Sequence, residues 1–119
     1  VGTELAIRLF GDESLFVGYS EVRYTAPVFA GDWMEYGGYI EKVGNTSFTC
    51  KFFAYKWMKD SKDENGNVIN GSGAEMINPP ELCAYGSGTL MVAKNLQRPE
   101  FGDPKFAADA KAAGAKAFA

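Results

Sequence analysis

Two long β-rich runs joined by a tight turn constrain the fold of this chain more than any other feature. The turn, Val-Gly-Asn-Thr-Ser at 43–47, contains glycine and asparagine, which tolerate the positive φ that a tight turn demands. Runs rich in aromatic and β-branched residues flank it at 33–42 and 47–58. We therefore predict a β-hairpin with its tip at this turn, and a connection this short requires antiparallel pairing.

The rest of the chain predicts two helices and two further strands. Residues 1–10 place Leu5 and Leu9 on one helical face, and Gly11 ends that helix. Strands are predicted at 15–25 and, after two prolines, at 81–94, and the polar residues 59–78 are predicted to form a mobile loop that could act as a lid. Asp103 as N-cap and Pro104 at the first helical position begin an alanine-rich helix that runs to residue 119. The predicted class is α+β, in one antiparallel sheet with two helices.

Composition excludes several functions. The chain of 119 residues carries a net charge of -3, which argues against a dedicated nucleic-acid binder. It has no histidine, so the Ser-His-Asp and Cys-His mechanisms and histidine acid–base chemistry are absent. Cys50 and Cys83 lie in apolar runs without metal-ligand spacing, and we interpret them as buried thiols and expect no metal site. No apolar run approaches the roughly 20 residues that span a bilayer, so we expect no membrane partner and a cytoplasmic location.

The hairpin turn is also a candidate binding site. The amide of Asn45 and the hydroxyls of Thr46 and Ser47 are groups that can bind a phosphate. The alternative is an ordinary turn that binds nothing, which is the more common case.

Five short motifs resemble the hotdog fold. They are Phe-Gly-Asp-Glu at 10–13, Leu-Phe at 15–16, Ala-Pro-Val-Phe-Ala-Gly-Asp at 26–32, the turn at 43–47 and Gly-Thr at 88–89. Within this superfamily the chain most resembles the small acyl-CoA ammonia-lyases of the 3-aminobutyryl-CoA and β-alanyl-CoA type. The resemblance implies a hotdog domain at 1–98, an antiparallel sheet wrapped around a central helix, followed by a C-terminal helical extension at 99–119. It also implies that the first strand, the start of the central helix and an acidic residue lie before Val1, so that the domain is N-terminally incomplete.

The resemblance implies a lyase that eliminates ammonia from a short β-aminoacyl-CoA, or adds it to the enoyl-CoA. Glu4, on the implied central helix, is the candidate catalytic carboxylate, and its alternative role is an exposed i, i+4 ion pair with Arg8. Coenzyme A would enter as part of the substrate, with no permanently bound cofactor. The candidate residues for CoA binding are Arg23, Asn45, Thr46, Ser47 and Lys51, with Lys56 as an alternative to Lys51. Aromatic residues at strand spacing could line an acyl pocket or belong to the core: Tyr19, Tyr24, Trp33 and Trp57.

Two other functions remain open for this scaffold, an acyl-CoA thioesterase and a non-catalytic CoA-binding module. The strand at 47–58 carries aromatic residues on both faces, which predicts burial on one face and an interface on the other. We therefore expect a homodimer or a higher assembly of dimers. The resemblance places such an enzyme in amino-acid fermentation, including lysine degradation.

Overall fold

The computed structural model describes residues 1–69 and 71–117, and side chains as far as residue 112. The elements are α1 (Gly2–Phe10), β1 (Leu15–Tyr24), β2 (Trp33–Val43), β3 (Ser47–Asp60), β4 (Ala74–Met91) and α2 (Pro104–Ala117), with short 3-10 helices at Lys94–Leu96 and Pro99–Phe101. The strands form one antiparallel sheet in the order β1-β4-β3-β2, which confirms the predicted α+β class.

The chain divides into two compact units. The first unit contains Val1–Val22, Gly37–Phe52 and the chain from Gly86 onward, and the second contains Arg23–Tyr36 and Phe53–Tyr85.

The core of the first unit is built around α1. Leucine and aromatic side chains on one face of this amphipathic helix are buried, and each contributes about 1.5–3 kcal/mol by leaving water. They pack with residues from the strands and from α2, and the core residues include Leu5, Leu9, Phe10, Phe48, Cys50, Leu90, Val92, Ala107 and Ala110. The helix ends at Gly11, as predicted. Gly11 has a left-handed φ of 67°, and its N–H donates to the carbonyl of Ile7 at 2.8 Å.

Glycines let the chain pack closely in this unit. A Cβ on Gly38 would lie 2.7 Å from the carbonyl oxygen of Lys51 and 3.0 Å from a methyl carbon of Val1. A Cβ on Gly86 would lie 2.7 Å from the carbonyl oxygen of Glu21, so the main chain of β1 approaches this glycine closely. These positions admit only glycine without a shift of the neighbouring main chain.

The N-terminal end of α2 confirms the predicted cap. The N–H of Phe106 donates to the carboxylate of Asp103 at 3.1 Å, and the N–H of Ala107 donates to the Asp103 carbonyl at 2.9 Å. The N–H of Asp103 in turn donates to the carbonyl of Arg8 at 2.8 Å, which fixes the start of α2 against the end of α1. The predicted helix continues to residue 119, and residues 118–119 lie outside the described residues.

The boundaries of β3 and β4 differ from the prediction. β3 continues to Asp60 and β4 already begins at Ala74, so the predicted strand at 81–94 and the predicted loop at 59–78 are wrong at both ends. The ends of the two strands pair directly, with Lys59 and Glu75 in an ion pair at 3.3 Å. Pro79 and Pro80 suggested a boundary because they lack N–H groups, but they lie within β4, where pairing with neighbouring strands outweighs the local preference. Residue 70 of the predicted loop lies outside the described residues.

Candidate functional site

The hairpin turn of the first unit is held by main-chain hydrogen bonds on two sides. The N–H of Gly44 donates to the Ser47 carbonyl and the N–H of Val92 donates to the Thr46 carbonyl, both at 2.7 Å. The side-chain amide of Gln97 donates to the Asn45 carbonyl at 2.6 Å and to the Val92 carbonyl at 3.1 Å. These bonds use main-chain carbonyls of the turn, and the Asn45 side chain remains exposed.

The turn is therefore a fixed tip that presents short polar side chains. Sequence reasoning identified the turn but not Gln97, because a residue 52 positions away gives no local pattern that predicts such a contact.

Lys51 follows the turn on β3. Ser47 and Lys51 are four residues apart and so lie on the same face of the strand, about 13 Å from each other along it. The ammonium group of Lys51 lies 3.7 Å from the Glu41 carboxylate, and both side chains are nearly half exposed. An exposed pair of this kind contributes little stability, so Lys51 can exchange Glu41 for a phosphate at low cost.

Glu4 lies on an exposed face of α1. Its carboxylate accepts a hydrogen bond from the Arg8 guanidinium at 2.8 Å, with the Glu4 side chain 66% exposed. The Arg8 guanidinium also lies 5.7 Å from the centre of the Phe106 ring in α2. Glu4 thus forms the i, i+4 ion pair with Arg8 that was its alternative role. The catalytic role of Glu4 stays a prediction.

Three aromatic rings cluster beside the first turn of α1. The Phe16 and Tyr19 ring centres are 4.7 Å apart, and each lies 6.2–6.3 Å from the Phe52 ring. A Cβ on Gly2 would lie 3.6 Å from Phe52, which places this cluster at the first turn of the helix. Tyr19 was a predicted acyl-pocket residue. Phe16 and Phe52 were not predicted for this role.

The remaining predicted residues belong to the second unit. Arg23 is exposed near the end of β1, and Tyr24, Trp33 and Trp57 are also exposed.

A pocket of about 610 Å³ lies within the second unit. Charged residues of both signs line it, namely Asp32, Lys56, Lys59, Asp60, Lys62, Asp63, Glu75 and Glu81, together with Pro27, Phe29, Ala30 and Ile77. One wall contains a buried ion pair between Asp32 and Lys56, at 3.0 Å and with each side chain only 7% exposed. The Lys56 ammonium also donates to the Pro27 carbonyl at 2.8 Å and lies 3.9 Å from the Glu81 carboxylate.

These contacts shift both pKa values toward the charged forms. The Asp32 carboxylate accepts a hydrogen bond from the N–H of Phe29 at 2.7 Å, and this bond, aided by Lys56, lowers the pKa of Asp32 although burial opposes the shift. Burial acts to lower the pKa of Lys56, but the hydrogen bond and charge of Asp32 outweigh it and the pKa is raised. The pair is therefore ionised at neutral pH.

Lys56 is thus held by Asp32 and the Pro27 carbonyl, and the alternative that it binds a CoA phosphate stays a prediction. The sequence indicated that Lys56 is buried, because it lies on the same face of β3 as the buried residues Phe48, Cys50 and Ala54. A lysine on the buried face of a strand requires a carboxylate partner.

The two cysteines are buried free thiols, as predicted. Burial raises the pKa of the Cys50 thiol to about 12, so this sulfur is not a nucleophile at neutral pH. Within residues 1–69 and 71–117, no group of three or more His, Cys, Asp or Glu side chains is placed to hold a metal ion.

Comparison with known proteins identifies the class. The chain is 42% identical over 98 residues to a 3-aminobutyryl-CoA ammonia lyase of Acetoanaerobium sticklandii, across 82% of this chain and 74% of that protein. It is 45% identical to the β-alanyl-CoA:ammonia lyase of Clostridium propionicum, whose structure superposes with a TM-score of 0.80 over 92% of this chain and 73% of that one. No protein-family model matches the chain.

More distant structures define the fold. A hexameric broad-specificity acyl-coenzyme A thioesterase is 17% identical, with a TM-score of 0.66 over 97% of this chain and 73% of that one. A hexameric hotdog-fold thioesterase of Campylobacter jejuni is 18% identical, with a TM-score of 0.54 over 78% of this chain and 61% of that one. The fold is therefore the hotdog fold, as predicted. Within it, the chain belongs to the acyl-CoA ammonia-lyases, which are carbon–nitrogen lyases that act on CoA thioesters.

Among the described residues, no helix has the length and apolar character needed to cross a membrane.

Proposed function

We propose that this chain catalyses the reversible elimination of ammonia from a short β-aminoacyl-CoA, of the type that converts 3-aminobutyryl-CoA to crotonyl-CoA. The observation that carries the proposal is identity of 42% and 45% to two ammonia-lyases whose names specify 3-aminobutyryl-CoA and β-alanyl-CoA. Those two substrates differ by one methyl group on the carbon that bears the amine. The acyl group of the substrate is accordingly three or four carbons long.

The reaction has three chemical requirements. A base removes the proton from the carbon next to the thioester carbonyl, hydrogen-bond donors stabilise the enolate-like oxygen, and an acid assists departure of the amine. The electron pair of the broken C–H bond forms the double bond as the C–N bond breaks. None of these steps requires histidine, in keeping with a chain that has none.

We assign the acid–base role to the Glu4 carboxylate. Its partner Arg8 is exposed, so the ion pair contributes little stability and can open when substrate binds.

We assign CoA binding to Asn45, Thr46, Ser47 and Lys51, with Arg23 as a further phosphate ligand. The support for the first four is a turn held by main-chain bonds and a lysine whose only described ion pair is exposed. A turn fixed before the ligand arrives loses little conformational entropy on binding. CoA is thus part of the substrate, and the proposed chemistry needs no permanently bound cofactor.

We also propose that the enzyme is a homodimer or a higher assembly of dimers that works in the cytoplasm, in amino-acid fermentation such as lysine degradation. Apolar side chains of β1 support the assembly, because Leu15, Val17 and Tyr19 are each 60–63% exposed in the single chain. Sedimentation at micromolar concentration should give at least twice the mass of one chain. A monomer would contradict the proposed assembly.

The experiment that tests the reaction supplies 3-aminobutyryl-CoA and β-alanyl-CoA in separate assays and measures released ammonia, enoyl-thioester absorbance and free thiol together. The proposal predicts equal amounts of ammonia and enoyl-thioester, with no thiol. Free thiol without ammonia would identify an acyl-CoA thioesterase instead. Binding of either compound without any product would identify a non-catalytic CoA-binding module.

A further inference from the structure

A small hairpin in the second unit presents an asparagine that precedes a glycine. The N–H of Asp63 donates to the Asn67 carbonyl at 2.8 Å, and Lys62 and Val68 form an isolated antiparallel bridge below the tip. At the tip, the N–H of Gly66 donates to the Asp63 carbonyl at 3.0 Å. Asn65 is thus the residue immediately before the glycine of a tight turn.

Asn65 and Gly66 lie in open surroundings. Asn65 is exposed, and Gly66 has a left-handed φ of 81° with no atom within 4 Å of the position that a Cβ would occupy. Gly66 has no side chain of its own to hinder attack of its main-chain nitrogen on the side-chain amide carbon of Asn65. The ring closure that joins these two atoms meets the least steric resistance when the second residue is glycine.

We propose that Asn65 is a site of spontaneous deamidation. The Gly66 nitrogen, after losing its proton to hydroxide, attacks the Asn65 side-chain amide carbon. The new C–N bond closes a five-membered succinimide as the bond to the amide nitrogen breaks, and that nitrogen takes up a proton and leaves as ammonia. Water then opens the ring at either carbonyl, which gives aspartate or isoaspartate at position 65.

The other asparagines of the described chain lack this combination. Asn67 precedes the β-branched Val68, and Asn78 precedes Pro79, which has no N–H to deprotonate. Asn45 precedes the β-branched Thr46, and Asn95 precedes Leu96, whose branched side chain hinders the ring closure. Among the described residues, Asn65 is the asparagine that is followed by glycine, which does not hinder the ring closure.

The hairpin also sets the rate of the reaction. The Asp63 carboxylate accepts hydrogen bonds from the N–H groups of Asn65 at 2.9 Å and Asn67 at 3.0 Å, and these bonds hold the turn. The Gly66 N–H must leave the Asp63 carbonyl before its nitrogen can attack. Deamidation is therefore slower in the folded protein than in a free peptide, and it accelerates when Asp63 is removed.

The product changes the chemistry of this hairpin. A carboxylate at position 65 joins those of Asp63 and Glu64 and makes the net charge one unit more negative than -3. Isoaspartate also adds a methylene to the main chain, which changes the spacing of the N–H groups that bind Asp63. Both changes weaken the turn.

The test incubates the full chain for weeks at mildly alkaline pH and follows intact mass, with fragment ions to locate the change, since the sequence contains a second Asn-Gly pair at 70–71. We expect a gain of about one dalton at position 65. Asn65→Gln should abolish that gain, and the matched control Asn67→Gln, in the same hairpin, should retain it. Asp63→Ala should give a several-fold faster gain. An unmodified residue 65, while a synthetic peptide of residues 61–69 converts under the same conditions, would overturn the proposal.

Discussion

The Asp32–Lys56 pair holds two opposite charges 3.0 Å apart where each side chain is only 7% exposed. Such a pair gains little relative to apolar residues of similar volume, but removal of Asp32 takes from the Lys56 ammonium its nearest counter-charge. This pair therefore predicts how much a substitution at Asp32 changes the stability of the fold.

We expect Asp32→Asn to lower the free energy of unfolding by about 1.5–3 kcal/mol, because the Lys56 ammonium loses its nearest carboxylate and keeps only the Pro27 carbonyl and the more distant Glu81 carboxylate. Urea unfolding followed by circular dichroism measures the change. The matched control is Glu75→Gln, which breaks the half-exposed pair with Lys59 and should cost less than about 1 kcal/mol. Equal losses in the two variants would show that the Asp32–Lys56 pair is not buried.

The same pair predicts a pH dependence. The pKa of Asp32 is lowered from 3.8, so its stabilisation is complete above that pH and is lost as pH falls through the lower folded value. The pKa of Lys56 is raised from 10.5, so its stabilisation is complete below that pH and is lost as pH rises through the higher folded value. The stability difference between the wild type and Asp32→Asn should therefore stay constant between these limits and shrink below pH 3.8. A difference that grows on acidification would contradict the pKa direction.

At the scale of elements, the hairpin between β2 and β3 is the part of the candidate site that local sequence predicts best. The position of its turn follows from glycine and asparagine, and its antiparallel pairing follows from its length, but neither Gly44 nor Asn45 has the positive φ that the sequence predicted. Gln97 and the bond from Val92 are contributed by distant segments, so no local pattern contains them. The ends of β3 and β4 were missed for a similar reason, since the pairing of Lys59 with Glu75 joins residues whose local sequence resembles a loop.

The turn makes a prediction about CoA. We expect the double variant Asn45→Ala with Ser47→Ala to weaken CoA binding by about tenfold or more without unfolding, because two donors to a charged phosphate are lost. Calorimetry measures the affinity, and Asn95→Ala, an exposed asparagine in the 3-10 helix after β4, serves as the control. Unchanged affinity in the double variant would remove the turn from the binding site.

Close packing of β2 against β3 in the first unit depends on Gly38. We expect Gly38→Ala to cost about 1–3 kcal/mol, because a Cβ would lie 2.7 Å from the Lys51 carbonyl, a main-chain atom that cannot move cheaply. Gly18→Ala is the control, since no atom lies within 4 Å of that Cβ position and β1 favours a residue with a side chain. Thermal unfolding that shows no difference between the two variants would mean that the close contact is absent.

At the scale of the whole molecule, sequence predicts more of the fold than of the active site. Helix α1, the hairpin and the cap of α2 follow from periodicity, turn residues and the Asp103-Pro104 pair, so each could be predicted from its own segment. The catalytic role of a residue cannot be predicted from its own segment in this way. Glu4 forms an exposed pair with Arg8, and its assignment as acid and base depends on the family to which the chain belongs.

The measurement that tests the central claim most directly is absorbance at the enoyl-thioester band after the purified protein is mixed with crotonyl-CoA, with and without ammonium, and with a thiol reagent in parallel. A CoA-thioester ammonia-lyase predicts loss of the enoyl signal only when ammonium is present, and no free thiol. Loss of signal without ammonium, or release of thiol, would contradict the assignment.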